Sequence, residues 1–154
     1  MVIRVTISTE PTAKGRPRVA FLNGHARTYT PTKTQEAQEF IKTRLLRHRD
    51  KAFPMGIPLR LTCTFWRTKS RYLPKREDIP WRRPDLPNFL SLVCDAMTGV
   101  LYADDSQLTY VVTKKRWSPT GQGFITLKLE PDSLKGDEHA DNNPEDSDAI
   151  SVHS

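Results

Sequence analysis

The chain has 154 residues, 36% of them hydrophobic, and its 24 Lys and Arg against 18 Asp and Glu give a net charge of +6. That length suits one domain with a real core, and no apolar run approaches the roughly 20 residues of a membrane-spanning helix. The first residues alternate instead of forming a signal sequence. Cys63 and Cys94 are too few for a disulfide framework and lack a second metal-binding pair, so both are expected to be reduced in a cytoplasmic protein.

The charge is unevenly spread. Residues 131–154 hold seven acids and one base, whereas residues 1–130 hold 23 bases against 11 acids, a net +12. A body this basic suits a polyanion, and nucleic acid is the usual one. A soluble protein with a solvated basic face is the bland alternative. We therefore expect a folded domain over 1–130 and an acidic tail over 131–154. The tail has no aromatic residue and no apolar periodicity, and is expected to be disordered.

Residues 2–8 alternate as a strand, and Pro11 to Arg18 form a loop broken by prolines and Gly15. Asn23-Gly24 predicts a hairpin turn between strands near 19–22 and 26–29. Thr30 and Pro31 open a helix reaching Asp50, with Ala37, Phe40, Ile41 and Leu45 on its apolar face. Residues 59–66 alternate as another strand. The basic, proline-containing stretch 67–83 predicts a mobile loop, in which Tyr72 and Trp81 are either stacking surfaces for bases or loop anchors. A second helix spans 86–97, since Phe89, Leu92, Val93, Ala96 and Met97 keep the i, i+3, i+4, i+7, i+8 spacing. Gly99 ends it. Strands at 108–117 and 123–129 flank a turn at Pro119-Thr-Gly121. This order predicts an α+β domain, a largely antiparallel sheet packed against two main helices.

Acids are scarce in the body, so their grouping carries information. Asp85, Asp95, Asp104 and Asp105 fall within about twenty residues. If the chain returns beside the helix, two or more of these carboxylates face one another and attract a hard cation, Mg²⁺ or Mn²⁺. Such an ion inside a basic surface suits phosphodiester hydrolysis. Each acid also has a plain structural reading. Asp85 is placed as a helix N-cap, Asp104-Asp105 as turn formers, and Asp95 as an exposed helix residue paired with a nearby base. Spacing alone leaves both readings open. His25, His48, His139 and His153 have no partners at ligand spacing. No phosphate-binding glycine loop or nucleophile elbow occurs.

Arg83-Pro-Asp-Leu-Pro-Asn-Phe-Leu90, Cys94 to Tyr102 and Ala103-Asp-Asp-Ser-Gln107 resemble the RusA family of Holliday junction endonucleases, as does the Lys14-Gly-Arg-Pro-Arg18 loop. The resemblance covers residues 1–130. It implies a small α+β homodimer that binds four-way DNA junctions and makes paired symmetric nicks with Mg²⁺ or Mn²⁺ held by aspartates. Asp85, Asp104 and Asp105 match the family's catalytic and metal-binding aspartates, and Asp95 an acid before its glycine turn. Lys14, Arg16 and Arg18 match a basic loop near DNA, and the loop bases Lys69, Arg71, Arg82 and Arg83 join them as candidate DNA contacts. Two positions depart from the family pattern. Pro87 stands where a second aspartate is common, and Ser91 where a lysine is common. The alternative reading is a homologue that binds branched nucleic acid without cutting it.

Overall fold

The computed structural model describes residues 1–134; of the acidic tail expected over 131–154, the part from 135 onward lies outside the described residues. Eight main elements follow in order: β1 (Ile3–Ile7), β2 (Arg18–Leu22), β3 (His25–Tyr29), α1 (Thr32–Leu45), β4 (Leu59–Arg67), α2 (Leu86–Met97), β5 (Leu108–Trp117) and β6 (Phe124–Pro131). The α+β architecture read from the sequence is the one observed. Four strands form one sheet in the order β1-β6-β4-β5, and β2 and β3 make a separate two-stranded ribbon.

Alternation along the strands decides what the sheet buries. Ile3 and Ile7 of β1, Leu59, Leu61, Cys63 and Phe65 of β4, and Ile125, Leu127 and Leu129 of β6 point to one face and are buried. Both helices cover that face. α2 contributes the stripe expected from its spacing, Phe89, Leu92, Val93, Ala96 and Met97, all buried, with the Phe89 ring stacked 5.3 Å from Phe65. α1 contributes Ile41 and Leu45. Phe40, expected beside them, is 39% exposed and lies under the Arg44 guanidinium, because it falls a third of a turn away from the buried Thr34–Ile41–Leu45 line. α1 is also shorter than expected, tightening after Leu45 into a 3-10 turn over Leu46–Lys51.

The sheet is antiparallel except at one pairing, β4 with β5, which is parallel. A parallel pair needs a crossover across the sheet, and α2 supplies it. The chain therefore leaves β4 at its C-terminal end, runs back along α2, and enters β5 beside the start of β4, where Leu108 pairs with Leu59.

Gln107 locks that entry. It is 5% exposed, donates from Nε2 to the carbonyls of Pro54 and Ile57, and accepts at Oε1 from the amides of Ala103 and Asp104. At the same end of the sheet, where Pro131 pairs with Leu59, β6 runs past the expected tail boundary. The Asp132 carboxylate accepts from Arg60 and Thr109, and its amide donates to Pro58. Pro131 thus belongs to the sheet, and Asp132 just beyond it is held by Arg60 of β4 and Thr109 of β5. Gln107→Ala strips partners from four partly buried backbone groups and is expected to lower the unfolding free energy by roughly 1–3 kcal/mol in urea titration.

Candidate active site

The sequence acids divide between the two ends of α2. Asp85 is the residue before the first turn, exposed, with its carboxylate accepting no capping hydrogen bond. The N-cap reading of this side chain therefore fails. Pro87 sits in the first turn, where its missing N–H leaves no helix bond unmade. At the far end, Asp105 accepts from the hydroxyls of Thr98 at 2.7 Å and Tyr102 at 2.9 Å. Asp104 caps the 3-10 turn over Asp105–Gln107 through the Ser106 amide, in a capping box completed by Gln107. Hydrogen bonds from Ser106 hold the Asp104 carboxyl below the usual carboxylate range. For Asp104 the turn-forming reading was right.

Twelve residues of α2 lie between the two groups, about 18 Å along the helix axis. Their neighbours on the sheet say the same, since Asp85 acts on Lys115, which pairs with Phe65, while Asp105 precedes Leu108, which pairs with Leu59. The return beside the helix thus brings Asp104 and Asp105 to its C-terminal end, not back to Asp85. Asp95 is engaged elsewhere, in a 2.6 Å ion pair with Lys14. Among the described residues no three His, Cys, Asp or Glu side chains come together as a metal site.

Around Asp85 the surroundings are basic. A groove of about 670 Å³ is lined by Arg16, Arg18, Lys33, Arg67 and Pro84, with Glu10 at its wall. Glu10 is occupied by the Thr68 amide and hydroxyl. The loop from Pro11 to Arg18 is clipped to both helices. The Lys14 amide donates to Asn88, and the Gly15 amide to the buried hydroxyl of Thr34. A Cβ at Gly15 would meet Thr34 Oγ1 at 2.9 Å, so the close approach requires glycine.

The bases expected to meet DNA have different fates. Arg16 and Arg18 are exposed at the groove, and Arg83 is exposed close by. Lys69 is spent inside its own loop, donating to the carbonyls of Lys75 and Glu77. Arg71 lies against Tyr72, and Arg82 pairs with Glu77. The stretch expected to be a mobile loop is thus internally bonded, with Trp117 also donating to Glu77. Tyr72 and Trp81 are 82% and 71% exposed, so neither anchors that loop by burial.

A match to the family described as endodeoxyribonuclease RusA spans residues 8–128. The chain belongs to the RusA family. That family is one of nucleases of the Holliday junction resolvase type. The crossover junction endodeoxyribonuclease rusA of Lactococcus phage r1t is 33% identical over 81 residues, covering 49% of this chain and 58% of that protein. The uncharacterized protein YqaN of Bacillus subtilis (strain 168) is 26% identical over 125 residues, covering 75% of this chain and 88% of its own length. No helix among the described residues is long and apolar enough to cross a membrane.

In this RusA-family chain the sequence reading missed Lys115. It projects from β5 towards the start of α2 and donates to the carbonyls of Arg82 at 2.8 Å and Pro84 at 2.9 Å. Burial, and then the charge of Arg67, lower its ammonium's pKa, while Asp85 acts the other way. It delivers a cation beside Asp85, and strand alternation alone gave no hint of that. The cysteines have no such role. Burial and the nearby Asp105 charge push the Cys94 thiol up to about 11, and burial raises Cys63 further, so both stay protonated near neutral pH. Lys115→Met leaves two carbonyls beside Asp85 without their donor. It is expected to cost roughly 1–2 kcal/mol of stability by urea titration, and Lys115→Arg is expected to recover part of that loss.

Proposed function

We propose that the chain is a Mg²⁺- or Mn²⁺-dependent endodeoxyribonuclease that acts as a homodimer and resolves four-way DNA junctions by paired nicks, in recombination and repair. The observation that carries this reading is the exposed Asp85 carboxylate, which caps no helix amide and directly follows Pro84 in the wall of a groove lined by Arg16, Arg18, Lys33 and Arg67. A strand in that groove has its phosphates neutralised along its path and one bare acid beside them. The folded body's net positive charge supports the same partner.

The ion requirement is read here as a property of the dimer. With about 18 Å between the two ends of α2, one ion cannot join Asp85 to Asp104 and Asp105 of the same chain. A two-fold pairing that sets the start of α2 against the end of α2 in the second copy gives each ion carboxylates from both chains. It also gives two equivalent sites, as paired cuts in a two-fold junction require. Asp95, neutralised by Lys14, is left out of this set. Its pairing ties the basic loop to α2.

A second reading is a homologue that binds branched nucleic acid without cutting it. Pro87 and Ser91 favour it, because proline offers no metal ligand and serine carries no charge to neutralise a phosphate. The two readings separate on a synthetic four-way junction with Mg²⁺ or Mn²⁺. Cleavage by wild type, lost in Asp85→Asn and in Asp105→Asn with junction binding kept, supports the nuclease. Tight, salt-sensitive binding without any cutting supports the binder.

Mixing the two inactive variants tests where the ligands come from. If each site takes Asp85 from one chain and Asp105 from the other, a mixed dimer regains one intact site and single nicks appear. If each site lies within one chain, the mixture stays inactive.

A further inference from the structure

The β2–β3 ribbon stands outside the main sheet, and cleavage at Asp85 leaves all of it past Arg18 without a task. Its Asn23-Gly24 loop has φ of 51° and 78°, the left-handed pair of a tight hairpin turn. The register pairs Arg18 with Tyr29, Ala20 with Arg27 and Leu22 with His25. Residues paired across a ribbon share a face, so Arg18, His25 and Arg27 lie on one side. The opposite side carries no charge. Every ribbon residue except Ala20 is exposed.

The sequence has no Asp or Glu between Pro11 and Gln35, while Lys14, Arg16, Arg18, Arg27 and Lys33 all fall there. Among the described residues, none of Arg16, Arg18 and Arg27 has an ion-pair partner. A thin projection carrying unneutralised arginines fits a polyanion.

We propose that the ribbon is a DNA arm clamp, laying its Arg18–His25–Arg27 face on a duplex arm away from the branch point. This rests on the reading of the chain as a junction nuclease. The two strands are about 4.8 Å apart, so the ribbon's backbone is slim enough for the roughly 12 Å major groove. Its base is fixed where Arg18 lines the groove beside Pro84. Five residues at about 3.4 Å each carry the tip about 17 Å outward, which is about five base pairs at 3.4 Å per pair. The ribbon therefore reaches along an arm and leaves the crossover to the groove. A second copy seated on the uncharged face, where Val19 is 59% and Phe21 79% exposed, is the competing occupant. It would leave the arginine face unneutralised.

The full chain is titrated against a four-way junction and a linear duplex over a range of salt, comparing wild type with Arg27→Ala, which lies outside the groove. Loss of one phosphate contact is expected to weaken binding about tenfold near 0.1 M salt and to make the slope of log K against log salt shallower by about 0.9. The factor is expected to be the same for junction and linear duplex, with sedimentation and melting temperature unchanged. Unaltered affinity and slope in the variant overturn the proposal while leaving the nuclease reading standing. Loss confined to the junction overturns it in favour of branch recognition, and a change in oligomeric state overturns it in favour of a subunit contact. Wild type that binds neither DNA overturns both readings together.

Discussion

The parallel pairing of β4 with β5 is the constraint on which the site depends. Once those two strands run the same way, the chain between them must travel the length of the sheet, and α2 is the segment that does it. The helix binds to the sheet through the same residues that build the core, Phe89 on Phe65 foremost. Core packing therefore fixes the distance between the two acidic groups. No rearrangement of side chains shortens a 12-residue helix. A change large enough to bring Asp85 to Asp105 within one chain would have to take α2 off the sheet.

Each end of the helix is prepared differently. At its C-terminal end the acids hold structure together: Asp104 closes a capping box with Gln107, and Asp105 accepts two hydroxyls. At its N-terminal end Asp85 makes no such bond, and its surroundings are carbonyls fixed by Lys115 and a groove of arginines. A carboxylate with hydrogen-bond donors is comfortable without an ion; a bare one among cations is steadied by them and stays open to a ligand. The asymmetry makes Asp85 the side chain most able to take a new partner without loss to the fold. It also accounts for Asp95, whose place on the same helix is balanced by Lys14.

Much of this was legible in the chain because local pattern and burial agree. α2 is bounded where its apolar spacing begins and ends, and β5 starts and stops at the residues its alternation marks. The hairpin follows from Asn23-Gly24, since few other pairs accept two left-handed residues in a row. The parallel pairing was not legible. Strand direction is a contact between residues about fifty positions apart, and the alternation of β5 reads the same whichever way its neighbour runs. From that one unknown came the expectation that two or more of Asp85, Asp95, Asp104 and Asp105 would face one another.

Lys115, Gln107 and Asp132 were hidden for a related reason. Each is an ordinary polar residue in its own stretch, and its weight comes from partners remote in sequence: the carbonyls of Arg82 and Pro84, those of Pro54 and Ile57, and Arg60. Charge taken locally misleads in the opposite direction. The basic stretch 67–83 reads as one surface for DNA, yet Lys69 turns inward to carbonyls and Arg82 to Glu77, because a long loop must satisfy its own buried polar groups first. The ribbon has no such internal claim on its charges. A two-stranded ribbon satisfies its backbone across the ladder and buries almost nothing, so its arginines are the ones left to meet something outside the protein.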